Sequence, residues 1–130
     1  MKRVTGIGGI FFKADHPDTL YAWYEKHLGL KRSEEAQAVL FEWLDSTDPG
    51  RKGMTVWSLF PRDTKYFKDS PSPVMINYIV DNLDELLTQL AKEGVAIDPE
   101  RGNYDYGRFA WITDPEGNRI ELWEPAKQSA

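Results

Sequence analysis

The chain alternates between stretches with a two-residue apolar period and stretches with a helical one. From Val4 to Ala14 the pattern is that of a strand with glycines at its start. Asp15-His16-Pro17 then opens a helix, because proline suits the first helical position. Leu20, Trp23, Tyr24, His27 and Leu28 follow at helical spacing, and Gly29 supplies a C-terminal stop. Three strands are expected next, over 30–35, 38–44 and 55–60, with a loop at 46–50 between the last two. Residues 61–73 are polar and hold three prolines. They read as a linker with one helical turn near 64–67, and Tyr66 and Phe67 imply that it packs down.

The pattern then restarts. Val74 to Val80 is strand-like, and Asn82-Leu83-Asp84-Glu85 fits a helix N-cap with Glu at the third helical position. Leu83, Leu86, Leu87 and Leu90 mark one face of a helix over 83–93, which Gly94 ends. Strands are expected over 95–97, 108–113 and 119–124, with a hairpin turn at 114–118. The halves align as an internal repeat, Ile10 on Ile76, Phe12 on Tyr78, Ala14 on Val80, Leu20 on Leu86 and Leu59 on Leu122. The fold class is therefore α+β, with two tandem β-α-β-β-β modules over about 5–61 and 73–125 in one domain spanning 1–130.

Composition narrows the function classes. An apolar fraction of 41%, with five Trp in 130 residues, gives a core too large for a disordered chain. Cysteine is absent, which removes disulfides, thiolate metal sites and thiol nucleophiles. The net charge is −5 and the basic residues are scattered, so a nucleic-acid surface is not expected. No apolar run reaches the length of a membrane span, and glycines interrupt the basic N-terminus. A cytoplasmic location follows as an expectation. Gly6-Ile7-Gly8-Gly9 lacks the helix and lysine of a phosphate loop, and two surface-like histidines offer no Ser–His–Asp triad.

Two segments carry a family resemblance. Ala22-Trp23-Tyr24-Glu25-Lys26-His27-Leu28-Gly29-Leu30 is one, and Asp114-Pro115-Glu116-Gly117-Asn118-Arg119-Ile120-Glu121-Leu122 is the other. With Tyr106-Gly107-Arg108-Phe109-Ala110 before the second, they resemble the vicinal oxygen chelate superfamily of glyoxalases, bleomycin resistance proteins and extradiol dioxygenases. The resemblance covers about residues 5–125. It implies curled mixed sheets around a cavity, helices outside, and the pairing of units in a homodimer.

Strand alternation assigns sides within that fold. Ile10, Phe12 and Ala14 belong with the helices, as do Ile76, Tyr78, Val80, Ile120 and Leu122. Gly9, Phe11, Lys13, Met75, Asn77, Ile79, Glu121 and Trp123 then point inward. A five-residue turn at 114–118 pairs Thr113 with Arg119 and Trp111 with Glu121.

Enzymes of the family hold a divalent metal through His, Glu or Gln at four inward positions. Here the resemblance carries those positions onto Gly9, Ser58, Met75 and Glu121, of which only Glu121 is a good ligand. His16 reads as a surface residue of the helix entry, and His27 as a cation favoured by the helix dipole. No metal is therefore expected, a divalent ion being the alternative. Glu121 is the candidate catalytic or ligand-anchoring residue; its structural reading is a carboxylate paired with Lys13 or an arginine. Phe11, Lys13, Ser58, Phe60, Met75, Asn77, Phe109, Trp111 and Trp123 are the candidate ligand-binding residues, and the aromatic ones could equally be core.

Three functions stay open. The first is a protein that binds a small organic molecule in an aromatic, acidic cavity without metal. The second is a metal-dependent lyase, isomerase or dioxygenase. The third is a metal-free enzyme using Glu121 as base. A C2 homodimer is predicted, because curled sheets leave strand edges to cover. Light scattering at high micromolar concentration checks it: a dimer mass is expected, and a monomer mass alone would refute it.

Overall fold

A computed structural model describes residues 3–46 and 48–127, apart from the side chain of Pro49. Nine elements follow in order: β1 (Val4–Ala14), α1 (Pro17–Leu28), β2 (Val39–Asp45), β3 (Asp48–Pro61), β4 (Val74–Val80), α2 (Leu83–Lys92), β5 (Ala96–Tyr104), β6 (Gly107–Thr113) and β7 (Arg119–Pro125). The strands form one mixed sheet in the order β2-β3-β1-β4-β7-β6-β5. The fold is α+β, as the repeat implied.

The repeat shows in the registers. In the first half β1 pairs parallel with β3, setting Phe11 against Ser58 and Phe12 against Leu59. In the second half β4 pairs parallel with β7, setting Asn77 against Glu121 and Tyr78 against Leu122. The halves join where β1 runs antiparallel to β4, with Ile10 opposite Ile76, Phe11 opposite Met75 and Gly9 opposite Asn77. Glu121 in the second half thus stands where Ser58 stands in the first.

Both helices cover one face of the sheet. Leu83, Leu86 and Leu87 of α2 pack on Val80, Ala110 and Leu122, with Tyr78 and Ile120 beside them. Tyr21 of α1 packs on Ala14, Val39 and Leu59, with Phe12 and Leu20 beside it. Among these, Phe12, Ala14, Tyr78, Val80, Ile120 and Leu122 are positions that strand alternation sent toward the helices. Local signals hold as well. Asn82 Oδ1 accepts from the Glu85 amide at 3.0 Å, which caps α2. Gly29, at φ 70°, closes α1 with its amide on the Glu25 carbonyl oxygen at 3.1 Å. The 114–118 turn pairs Thr113 with Arg119, as the turn length requires. Asp114 Oδ1 accepts from the amides of Glu116 and Asn118, both at 2.9 Å, and locks it.

Three expectations need correction. Residues 30–35 form no strand, so the first half has three strands rather than four. Lys31-Arg32-Ser33-Glu34-Glu35 offers no apolar alternation, and its backbone turns instead. Ser33 Oγ accepts from the Ala36 amide at 3.3 Å, the Gln37 amide donates to the Ser33 carbonyl oxygen at 2.8 Å, and Gln37 adopts φ 55°. The second correction concerns β3, which begins at Asp48 rather than near 55. Its extension is closed over by Trp43 of β2, whose ring lies where a side chain on Gly53 would stand. Thr47, inside the expected 46–50 loop, lies outside the described residues.

The third correction concerns β5, expected over 95–97 but running from Ala96 to Tyr104. A register shift between Ile97 and Arg101 absorbs Pro99, which an edge strand tolerates. The linker makes 3₁₀-like turns, with the Lys68 amide donating to the Lys65 carbonyl oxygen at 3.1 Å. It packs down as expected, since Phe67 is fully buried.

The core of the second half gives a direct test. Leu122 is 3% exposed between α2 and the sheet. Leu122→Ala is expected to lower stability by about 2–5 kcal/mol, since the packed helix cannot collapse fully into the space. Urea denaturation measures it, and a loss near zero would mean that α2 does not sit on this face.

Candidate functional site

The sheet face away from the helices carries the candidate site, and the linker divides it. Phe67 packs down on Phe11, Met75 and Trp111, with Val56, Phe60 and Phe109 around them. Phe60 touches both linker rings, Tyr66 stacked at 5.5 Å and Phe67 edge-on at 5.5 Å. Lys13 Nζ lies 5.2 Å from the centre of the Phe67 ring. Met75 has no exposed surface at all. Of the candidate ligand-binding residues, then, Lys13, Phe60 and Met75 lie under or beside the linker rather than along the open cleft. Ser58 is elsewhere again: its hydroxyl lies 3.4 Å from the Tyr21 hydroxyl of α1.

On one side of the linker a cleft of about 1420 Å³ remains. Phe11, Asn77, Phe109, Glu121 and Trp123 line it, together with Tyr66. Phe109 and Trp123 stack in parallel at 5.9 Å, and Tyr106 meets Phe109 edge-on at 5.7 Å. Acidic lining side chains outnumber basic ones six to three. Leu40, Met54, Val56 and Ile79 add apolar surface.

Glu121 sits in the floor of this cleft, 1% exposed. Its partners are not those expected. Among the described residues it forms no ion pair with Lys13 or any arginine, which corrects the structural reading made from sequence. Its carboxylate is held by three neutral donors instead. Asn77 Nδ2 donates to Oε2 at 2.6 Å and Trp111 Nε1 donates to Oε1 at 3.0 Å. The Tyr66 hydroxyl also donates to Oε1. The registers explain the meeting, because β7 places Glu121 between Asn77 of β4 and Trp111 of β6. Tyr66 comes from the linker, and nothing in strand periodicity marks it.

The electrostatics follow from burial. Desolvation of the Tyr66 hydroxyl, the nearby Glu121 charge and the hydrogen bond between them all push its pKa well above the ordinary tyrosine value. Asn77 is 2% exposed and its Oδ1 has no hydrogen-bond partner among the described residues. That oxygen faces Gly8, where an added Cβ would collide with it and with the Trp123 ring. A bulge between Ile7 and Gly9 turns this glycine toward the cleft. Glycine is thus required for the backbone to approach the Asn77 amide so closely.

The residues at the four family metal positions do not fit a divalent ion. Gly9 has no side chain, Ser58 is engaged near Tyr21, and the Met75 thioether is soft and packed among aromatic rings. Glu121 faces N–H and O–H hydrogens where a cation would need lone pairs. No group of three His, Cys, Asp or Glu suited to a metal occurs among the described residues. His16 and His27 are exposed, and His27 packs on Trp23 at 4.8 Å.

No helix among the described residues is long and apolar enough to cross a membrane. Solved structures share the fold. Methylmalonyl-CoA epimerase from Mycobacterium tuberculosis is 20% identical, with a TM-score of 0.62, covering 98% of this chain and 92% of that one. A variant of the Streptomyces coelicolor methylmalonyl-CoA epimerase in complex with 2-nitronate-propionyl-CoA is 18% identical, with a TM-score of 0.68, covering 98% and 99%. A glyoxalase/bleomycin resistance protein/dioxygenase superfamily member from Vibrio splendidus 12B01 is 11% identical, with a TM-score of 0.55, covering 91% and 97%. No curated protein matches the sequence significantly. The family described as the Glyoxalase/Bleomycin resistance protein/Dioxygenase superfamily matches residues 6–122, nearly the whole chain and both halves of its repeat. The chain belongs to that superfamily.

Proposed function

We propose that this protein binds a small, flat organic cation in the aromatic cleft, without a metal. One observation carries the reading: Glu121 is a buried carboxylate with three neutral hydrogen-bond donors and no ion-pair partner among the described residues. Buried charges are ordinarily paired, because hydrogen bonds from neutral groups leave the net charge in place. A cationic ligand beside Asn77 and Glu121 supplies the missing charge. The rings of Phe109 and Trp123 give it a stacking surface, and the acidic cleft favours its approach.

The reading of Glu121 as a general base is less well supported, because both its oxygens already accept hydrogen bonds. The metal-dependent reading is weaker still, for want of donors at Gly9, Ser58 and Met75. Assembly as a homodimer belongs to the same proposal. Its support is the open edge strand β2, where Leu40, Phe41 and Leu44 are exposed.

Proflavine, a planar aromatic cation, serves as the probe. Calorimetric titration of protein dialysed against EDTA is expected to show saturable binding at one site per chain. Glu121→Gln is expected to weaken it by about 1.5–3 kcal/mol, the scale of a lost interaction with a charged group. Trp123→Leu removes the stacking surface away from the Glu121 donors and is expected to weaken it independently. Absence of binding, or binding that appears only with an added divalent ion, would overturn the proposal.

The raised Tyr66 pKa yields a pH dependence. In the unfolded chain the phenol ionises near its ordinary value of 10.0, whereas in the folded chain it stays protonated beyond that. The unfolded state therefore binds fewer protons above this value, and stability falls as pH rises through and past it. Below it the contribution is constant. Urea denaturation across the alkaline range is expected to show a shallower loss for Tyr66→Phe than for the parent chain. At neutral pH the same variant is expected to be less stable by about 1–3 kcal/mol, since it removes one donor from a buried carboxylate. Equal alkaline slopes would contradict the placement of the phenol.

A further inference from the structure

Tyr66 has a second side. Away from the main cleft, its ring borders another pocket, of about 240 Å³, between the linker and strands β5 to β7. Four cations converge there: Lys65 and Lys68 from the linker, Arg101 from β5 and Arg119 from β7. The rings of Tyr104 and Trp111 complete the wall.

The charges do not balance. Glu100 is the carboxylate in the lining, and it is shared: its Oε2 lies 3.6 Å from Lys68 Nζ and 4.0 Å from Arg119 Nη2. Asp98 Oδ2 takes the other arm of Arg119 at 2.8 Å, and that bond holds the Asp98 carboxyl below its usual range. Two carboxylates thus face four cations. Lys65 and Arg101 close no ion pair among the described residues. Arg101 donates to the backbone carbonyl oxygens of Asp98 and Glu100, which carry no net charge.

Arg119 is the unusual member. Its side chain is 9% exposed, and its guanidinium lies 5.1 Å from the centre of the Trp111 ring. Its Nε has no hydrogen-bond partner among the described residues. A buried guanidinium with an idle donor costs stability. The planar fork and flanking ring are the usual recognition surface for a carboxylate or phosphate. The pocket lies just below the usual size range of small-molecule sites, which suits a small charged group rather than a polymer.

We propose that this pocket binds the carboxylate or phosphate group of a small ligand, held by Arg119, Lys65 and Arg101. The site is separate from the cation cleft: Tyr66 stands between them, and neither proposal requires the other.

The test uses the full chain with ¹⁵N-labelled tryptophan, titrated separately with inorganic phosphate and with benzoate. Trp111 lines the basic pocket and Trp123 the acidic cleft. The Trp111 indole N–H also bonds Glu121, so the Trp123 indole serves as the control for binding in the cleft. Saturable movement of the Trp111 signal with either anion, while Trp123 stays still, is the expected result. The two arms tell phosphate from carboxylate as the preferred chemistry. The double variant Lys65→Ala/Arg101→Ala changes exposed side chains only and is expected to weaken the anion at least about fivefold. Added sodium chloride is expected to weaken it as well, through screening. Silence at Trp111 with both anions would overturn the proposal. So would equal affinity in the double variant, or movement confined to Trp123.

Discussion

A buried carboxylate held by three neutral donors organises this site. Glu121 lies in the middle of a seven-stranded sheet, and its charge is accommodated because three neighbouring elements each send it a donor. Losing any one donor leaves lone pairs unsatisfied in a low-dielectric place, so the three are bound to one another in register and position. The register of β4 with β7 is needed for Asn77, that of β6 with β7 for Trp111, and the descent of the linker for Tyr66. The same constraint accounts for Gly8. The Asn77 amide, turned to give its hydrogens to Glu121, presents its oxygen to the β1 backbone, and only a residue without Cβ fits there.

The linker converts one sheet face into two compartments of opposite character. Phe67 fills the space between the halves, and Tyr66 forms the partition. On one side acidic groups predominate around stacked rings; on the other, arginine and lysine gather around Trp111. Trp111 belongs to both by different atoms, since its N–H serves Glu121 while its ring carries the Arg119 guanidinium. Among the described residues Glu121 and Arg119 form no ion pair, and the Trp111 side chain lies between them.

Pseudo-symmetry explains why the two halves differ in chemistry although they share a register. The pairs Phe11–Ser58 and Asn77–Glu121 are equivalent places. The second half filled its place with a hydrogen-bonded amide and carboxylate, and the first with a ring that packs under Phe67 and a hydroxyl drawn toward Tyr21. The polar cluster therefore sits off the dyad, and the cleft opens asymmetrically.

The sequence determined the elements whose cause is local. Proline and glycine punctuation bounded α1, the Asn82 cap began α2, and the length of the 114–118 turn set Trp111 opposite Glu121. Period-two alternation put Leu122 outward and Glu121 inward, because a strand has only two faces. It also carried the superfamily motifs, and so the fold. Tertiary structure decided whatever depends on partners distant in the chain. The charge-rich stretch 31–35 had no neighbour to make it a strand, and β5 ran past Pro99 because a register shift between Ile97 and Arg101 leaves the proline out of the pairing with β6. Tyr66 became a donor to Glu121 only where the linker crosses the sheet, in a segment without periodicity to orient its side chains. Lys65, Lys68, Arg101 and Arg119 are scattered along the sequence and form a basic pocket only after that crossing. Local periodicity fixes which way a side chain points, whereas the identity of what it meets is a property of the folded chain.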